Sequence, residues 1–162
     1  MNRPLAWLLG LLLTACSPAG EQVRARSSWN DDWKFALSDS GQDYSSPDSD
    51  DSTWRILSLP HDWSIEGDFS LDNPSTPGGG ALPGGIGWYR KTFTLPETDR
   101  DKVIYVDFDG VYRNSEVWIN GHSLGFRPNG YVSFRYDLTP YLRYGSQPNV
   151  IAVKADNSEQ PN

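Results

Sequence analysis

Residues 103–124, reading V-I-Y-V-D-F-D-G-V-Y-R-N-S-E-V-W-I-N-G-H-S-L, constrain the fold more than any other stretch of this chain. Ile104, Val106 and Phe108 fall on one side of an extended backbone and Val103, Tyr105 and Asp107 on the other, the period-2 pattern of a strand with one buried face. Gly110 relaxes the backbone where that strand ends. Residues 115–119 form a second β-branched and aromatic run that meets Asn120-Gly121, the dipeptide best suited to positive φ at both centres of a tight hairpin. Residues 122–126 then pair back, which makes this the middle of an antiparallel sheet.

The same punctuation recurs along the chain. Asn30-Asp31-Asp32 makes a turn, after which Trp33, Phe35 and Leu37 alternate as a first strand. Residues 54–63 read as a second strand ended by proline, and residues 88–96 as a third with Tyr89, Lys91, Phe93 and Leu95 on alternate sites. Residues 131–137 and 149–156 complete the set, the last with Ile151, Val153 and Ala155 facing one way. Thr139-Pro140 looks like a helix N-cap followed by proline at the first position, giving one turn through Leu142 that stops by Gly145. About eight short strands with no helix-length periodic segment predict an all-β protein, an antiparallel β-sandwich with jelly-roll topology.

With 162 residues, the chain has room for one domain with a single core. Aromatic residues make up 13% of it, a load that suits a sandwich core, a carbohydrate-stacking surface, or both. The formal charge of −7 argues against a nucleic-acid partner, which needs clustered Lys and Arg.

The first residues belong to processing. Arg3 supplies a short positive region, and residues 5–13 are almost wholly apolar but shorter than the roughly 20 residues of a spanning helix. Leu13-Thr14-Ala15-Cys16 resembles a bacterial lipobox, with cleavage leaving Cys16 as a lipidated N-terminus; the plainer alternative is a secretory signal with an incidental cysteine. Cys16 is the sole cysteine, so no internal disulfide is possible. The expected organisation is a signal peptide over 1–15, a flexible tether over 16–28, the folded domain over 29–157 and the start of a further connection over 158–162. Ser17 follows the cysteine where an aspartate would favour inner-membrane retention. The resemblance to lipoproteins therefore implies an outer-membrane location in the bacterial envelope.

Three loops invite functional readings. Residues 38–52, rich in Ser and Asp, read as a solvated loop, and their aspartates show no calcium-loop spacing. His61 beside Asp62 suggests catalysis, but adjacent residues on an extended chain point to opposite faces, which favours a structural histidine packed near Trp54 or Trp63. The glycine-rich residues 78–87 precede a strand, not a helix, and lack a Lys-Ser/Thr ending, so they do not form a phosphate loop. A flexible connection and a loop whose bare backbone permits close approach both remain open.

Six motifs, in order, carry a family resemblance: Asn30-Asp31-Asp32-Trp33-Lys34-Phe35, Leu59-Pro60-His61-Asp62-Trp63, Gly84-Gly85-Ile86-Gly87-Trp88-Tyr89-Arg90-Lys91, Phe108-Asp109-Gly110-Val111, Val117-Trp118-Ile119-Asn120-Gly121 and Tyr136-Asp137-Leu138-Thr139. Residues 29–162 resemble the N-terminal sugar-binding domain of glycoside hydrolase family 2, in its β-galactosidase branch. The resemblance implies a jelly roll beside immunoglobulin-like and barrel domains in a retaining hydrolase of β-galactosides or related glycans. Retention needs two carboxylates about 5 to 5.5 Å apart. The family carries both on the barrel, the acid/base following an asparagine, and this chain has no Asn-Glu pair. It resembles an N-terminal fragment with no catalytic residue of its own. β-Glucuronidases and β-mannosidases share the domain, and a stand-alone lipid-anchored carbohydrate-binding module is the competing reading.

In the family, a loop matching Arg127-Pro128-Asn129-Gly130-Tyr131 shapes the sugar subsite, and the glycine-rich segment with Gly85 approaches the active site. The resemblance thus nominates Arg127, Asn129, Tyr131 and Gly85 for substrate binding. Some members place a metal-binding aspartate where Asn129 stands. An amide still exchanges hydrogen bonds with a hydroxyl but brings no charge, so no metal or other cofactor is expected on this chain, although members use sodium or magnesium on other domains. Asn129 is equally well read as a turn residue chosen for its backbone.

Overall fold

The computed structural model describes residues 24–38, 41–75 and 80–159. Within them run eight strands: β1 (Trp33–Ser38), β2 (Arg55–Leu57), β3 (Ile86–Phe93), β4 (Tyr105–Phe108), β5 (Ser115–Ile119), β6 (His122–Arg127), β7 (Phe134–Asp137) and β8 (Asn149–Asp156). Single 3₁₀ turns occur at Ser64–Glu66, Glu97–Asp99 and Thr139–Tyr141, and no α-helix occurs among the described residues. The strands make a six-stranded sheet in the order β2-β1-β3-β8-β5-β6 and a two-stranded sheet β4-β7, every ladder antiparallel. This is the expected antiparallel β-sandwich.

Alternation decides which side chains enter the core. On β5, Ser115, Val117 and Ile119 are fully buried while Glu116 and Trp118 face outward. Ile151, Val153 and Ala155 of β8 and Trp33, Phe35 and Tyr89 join them, and Val106, Tyr136 and Leu138 close the core from the small sheet. Each fully buried Val or Ile contributes about 1.5 to 3 kcal/mol relative to exposure. The alternation fails at Leu37, which is 47% exposed and lies beyond the residues of β1 that pair with β2.

The Asn120-Gly121 hairpin forms as expected, with φ of 50° and 83°. Asn120 also has a tertiary role. Its Nδ2 donates to Tyr141 O and to Asn149 Oδ1, both at 2.8 Å, and its Oδ1 accepts from Val150 N at 2.9 Å. Asn149, itself buried, exchanges two further bonds with the Arg143 backbone. The turn is thereby stapled to the start of β8.

Two local expectations are corrected. Only residues 55–57 of the second expected strand pair, with Trp33, Lys34 and Phe35; Trp54 precedes the strand and packs edge-on against Tyr44, 4.9 Å between centroids. An edge strand approaching Pro60 has few ladder bonds to make. Thr139 is not a cap, since Leu138 takes that position; its Oγ1 accepts from Ile104 N at 2.8 Å and ties down the entry to β4. The Asp137 carboxylate instead accepts the Thr139 N–H.

The loop after β1 departs most from its solvated reading. Arg90 of β3 points outward yet is 1% exposed, because residues 44–51 wrap around its guanidinium. Its Nε donates to Asp51 Oδ2 at 2.8 Å, and its Nη atoms donate to the carbonyls of Tyr44, Ser46, Pro47 and Ser49. Lys34 holds the other Asp51 oxygen at 2.6 Å. A buried cation needs this degree of satisfaction to be tolerated.

Candidate functional site

One end of the sandwich gathers the nominated residues. In the large sheet Ile86 lies opposite Asp156, Glu116 opposite Lys154 and Ser115 opposite Arg127, so the start of β3, the end of β8, the start of β5 and the end of β6 share one edge. Hydrogen bonds run along that edge. Gly85 N donates to Asn157 Oδ1 at 2.8 Å, Asp156 N to Arg113 O at 2.9 Å and Asn114 Nδ2 to Asp156 O at 3.3 Å. Asn114 N reaches Pro128 O at 3.4 Å, which places Gly85 at one end of the row and the loop over 127–133 at the other.

The small sheet buttresses the loop. Ser133 Oγ donates to Asp109 O at 2.9 Å, and a Cβ on Gly130 would stand 2.5 Å from Tyr112 Cδ2 and 2.7 Å from its Cα. Only glycine fits there. The loop backbone is therefore fixed while its side chains face solvent.

Arg127, at the end of β6, lays its guanidinium over Phe134 and Tyr136, at 5.8 and 5.6 Å from their ring centroids. Asn129 Oδ1 accepts the Tyr131 N–H at 2.8 Å, an Asx turn that leaves the amide nitrogen facing outward as a donor. The turn-residue reading is thus satisfied at Oδ1 without consuming Nδ2. Arg127 and Asn129 line a shallow concavity of ≈ 340 Å³ with Phe134 and Arg135. Tyr131 is 85% exposed beside it, edge-on to Tyr112 at 5.4 Å. Cys16 lies outside the described residues.

The tightest ion pair at this end joins Arg135 to Asp107, with Arg26 3.8 Å from the same carboxylate. Arg135 donates to both oxygens of Asp107 at 2.5 and 3.0 Å, which holds that carboxyl below the usual range. No group of three or more His, Cys, Asp or Glu positioned to hold a metal ion occurs among the described residues.

The glycine-rich approach to β3 permits close contacts within the chain itself. A Cβ on Gly84 would meet Asn157 O at 2.6 Å, and one on Gly87 would meet the Trp63 ring at 2.7 Å. His61 is structural: its ring packs edge-on against Phe35 and Tyr89, its Nδ1 pairs with Tyr89 Oη at 2.8 Å and its Nε2 lies 3.2 Å from Glu66. Its ring neighbours are Phe35 and Tyr89, and Trp63 packs against the same two rings, at 5.8 and 6.2 Å. Burial, with Asp62 adding to it, pushes the Tyr89 phenol well above its usual value. Sequence reasoning missed Arg90, whose backbone-carbonyl partners leave no trace in residue identity.

Comparison with known proteins places this architecture. Residues 27–159 match the model of the sugar-binding domain of glycosyl hydrolases family 2. The chain is 59% identical over 151 residues to the β-galactosidase BoGH2A of Bacteroides ovatus and 48% identical over 153 residues to a putative β-glucuronidase of Formosa agariphila. Each match covers 93% of this chain, but only 18% and 14% of those proteins. Among solved structures, a β-glycosidase from Bacteroides vulgatus superposes with a TM-score of 0.75 at 56% identity, covering 80% of this chain and 17% of that one. With two antiparallel sheets, six ordered motifs and these matches together, the chain belongs to glycosyl hydrolase family 2, as its jelly-roll sugar-binding domain.

Proposed function

We propose that this domain serves a retaining β-galactosidase by presenting Arg127, Asn129 and Tyr131 to the sugar. The observation that supports this most is the division of labour in the loop: its backbone is locked by Gly130 and the Asx turn, while the Asn129 amide nitrogen and the Tyr131 ring are open. A rigid backbone with free polar and aromatic tips is what sugar orientation requires. Gly85, at the far end of the hydrogen-bonded row, sets the position of the adjoining segment. Both catalytic carboxylates would come from outside this domain, and the partners would be a β-galactoside and the immunoglobulin-like and barrel domains of the same enzyme.

The 59% identity to a protein named β-galactosidase, against 48% to one named as a putative β-glucuronidase, supports the galactoside assignment. The product of the complete reading frame should release chromophore from a β-galactoside faster than from the matching β-glucuronide. The reverse preference would overturn the assignment. The 162-residue chain alone should turn over neither.

We further propose attachment to the bacterial outer membrane through lipid on Cys16. Several acyl chains at about 0.8 kcal/mol per buried methylene hold a protein on a bilayer stably, whereas one is marginal. Metabolic labelling with a palmitate analogue should mark the wild type and not Cys16→Ser; equal labelling would exclude the lipid anchor.

A further inference from the structure

The outward face of the large sheet carries a cleft of ≈ 200 Å³ that shares no lining residue with the concavity at Arg127 and Asn129. Its floor is aromatic. Trp88 on β3 and Trp118 on β5 stack across β8 with centroids 5.3 Å apart and planes 26° off parallel. Trp88 is 2% exposed and backs the stack, while Trp118 is half-buried and offers the accessible ring. The indole N–H of Trp88 has no hydrogen-bond partner.

Polar groups of mixed type rim this floor. Glu116 engages Lys154 through Oε1 alone, at 3.4 Å. Asp43 uses Oδ1 on Ser45 N, and Gln42 accepts from Tyr44 Oη through Oε1, which leaves its amide nitrogen as a donor. Gln42 and Asp43 directly precede the segment that Arg90 clamps and are tied to it through Tyr44 Oη and Ser45 N.

We propose that this cleft is a second carbohydrate-contact site, taking one neutral sugar ring of a glycan. An aromatic face suits the apolar C–H side of a pyranose, and carboxylate, amide and ammonium groups around it match hydroxyls that both donate and accept. Two carboxylates against one ammonium disfavour an acidic sugar. This site does not depend on the β-galactosidase assignment, since it would survive a failure of the chromogenic assay.

The test is a heteronuclear NMR titration of the ¹⁵N-labelled 162-residue chain with methyl β-galactoside. The Trp118 indole resonance should shift saturably in the millimolar range, and methyl β-glucuronide should bind more weakly. Gln42→Ala, at an exposed position, should weaken binding roughly two- to tenfold, as expected from one lost hydrogen bond. Three outcomes would overturn the proposal: no saturable shift of Trp118, an equal response to the linear polyol mannitol, or shifts confined to residues 127–133.

Discussion

The loop between β1 and β2 and the loop between β6 and β7 are both built of turn-forming residues, yet one closes inward and the other opens outward. In the first, the carbonyls of Tyr44, Ser46, Pro47 and Ser49 converge on Arg90. In the second, the backbone leans on Tyr112 and Asp109, and Asn129 and Tyr131 face solvent. Neither loop's polarity decides its fate. What differs is what lies beneath each loop: an arginine with five donors on β3 draws backbone carbonyls in, whereas Gly110, just beyond β4, whose added Cβ would stand 2.9 Å from Gly130 O, lets a neighbouring backbone approach closely and offers it no donor side chain.

The sharpest way to break that contrast is Arg90→Met. It keeps the aliphatic stem but removes the guanidinium, leaving Asp51 with Lys34 alone and four carbonyls without their donor, so urea denaturation should show a loss of about 3 to 5 kcal/mol. Circular dichroism should still report strand if the chain folds. A loss below about 1 kcal/mol would mean that the loop is not held by this group.

Asp51→Asn should be next, at roughly 1.5 to 3 kcal/mol for weakened bonds to two cations. It also carries a pH signature. Burial alone would raise this carboxyl, but hydrogen bonds from Lys34 and Arg90 outweigh burial and hold it below its usual value. The folded value then lies under the unfolded one of about 3.9, so the stabilisation is fully present above that pH and is lost as pH falls through the folded value. Stability of Asp51→Asn measured against pH should lack that acid limb.

Within the outward loop two neighbouring substitutions should separate backbone from side chain. Gly130→Ala drives a Cβ to 2.7 Å from Tyr112 Cα, where nothing flexible can yield, and should cost about 1 to 3 kcal/mol by thermal denaturation. Asn129→Ala removes one exposed Asx bond and should change stability by less than about 0.5 kcal/mol. Under the function proposed above, its effect should appear as a raised KM for a β-galactoside in the product of the complete reading frame. An equal stability loss from both would show that Asn129 is only a turn residue.

The fold class was legible in residue order, because a strand announces itself through nearest-neighbour chemistry: alternation in residues 103–108, and an Asn-Gly pair whose φ preference is intrinsic. The burial of Val117, Ile119, Ile151 and Val153 followed from the same period. Resemblance of motifs supplied the family and nominated Arg127, Asn129, Tyr131 and Gly85, three of which are near neighbours in the chain while the tertiary structure brings the fourth to the far end of their hydrogen-bonded row. The roles of Arg90, Asn120 and the Trp88–Trp118 stack emerged with the packed fold. Their partners are backbone carbonyls and residues distant in the chain, and no residue type encodes which carbonyl it will meet. The shortness of β2 and the exposure of Leu37 were equally hidden, since both depend on where a sheet runs out of neighbours, which local pattern does not specify.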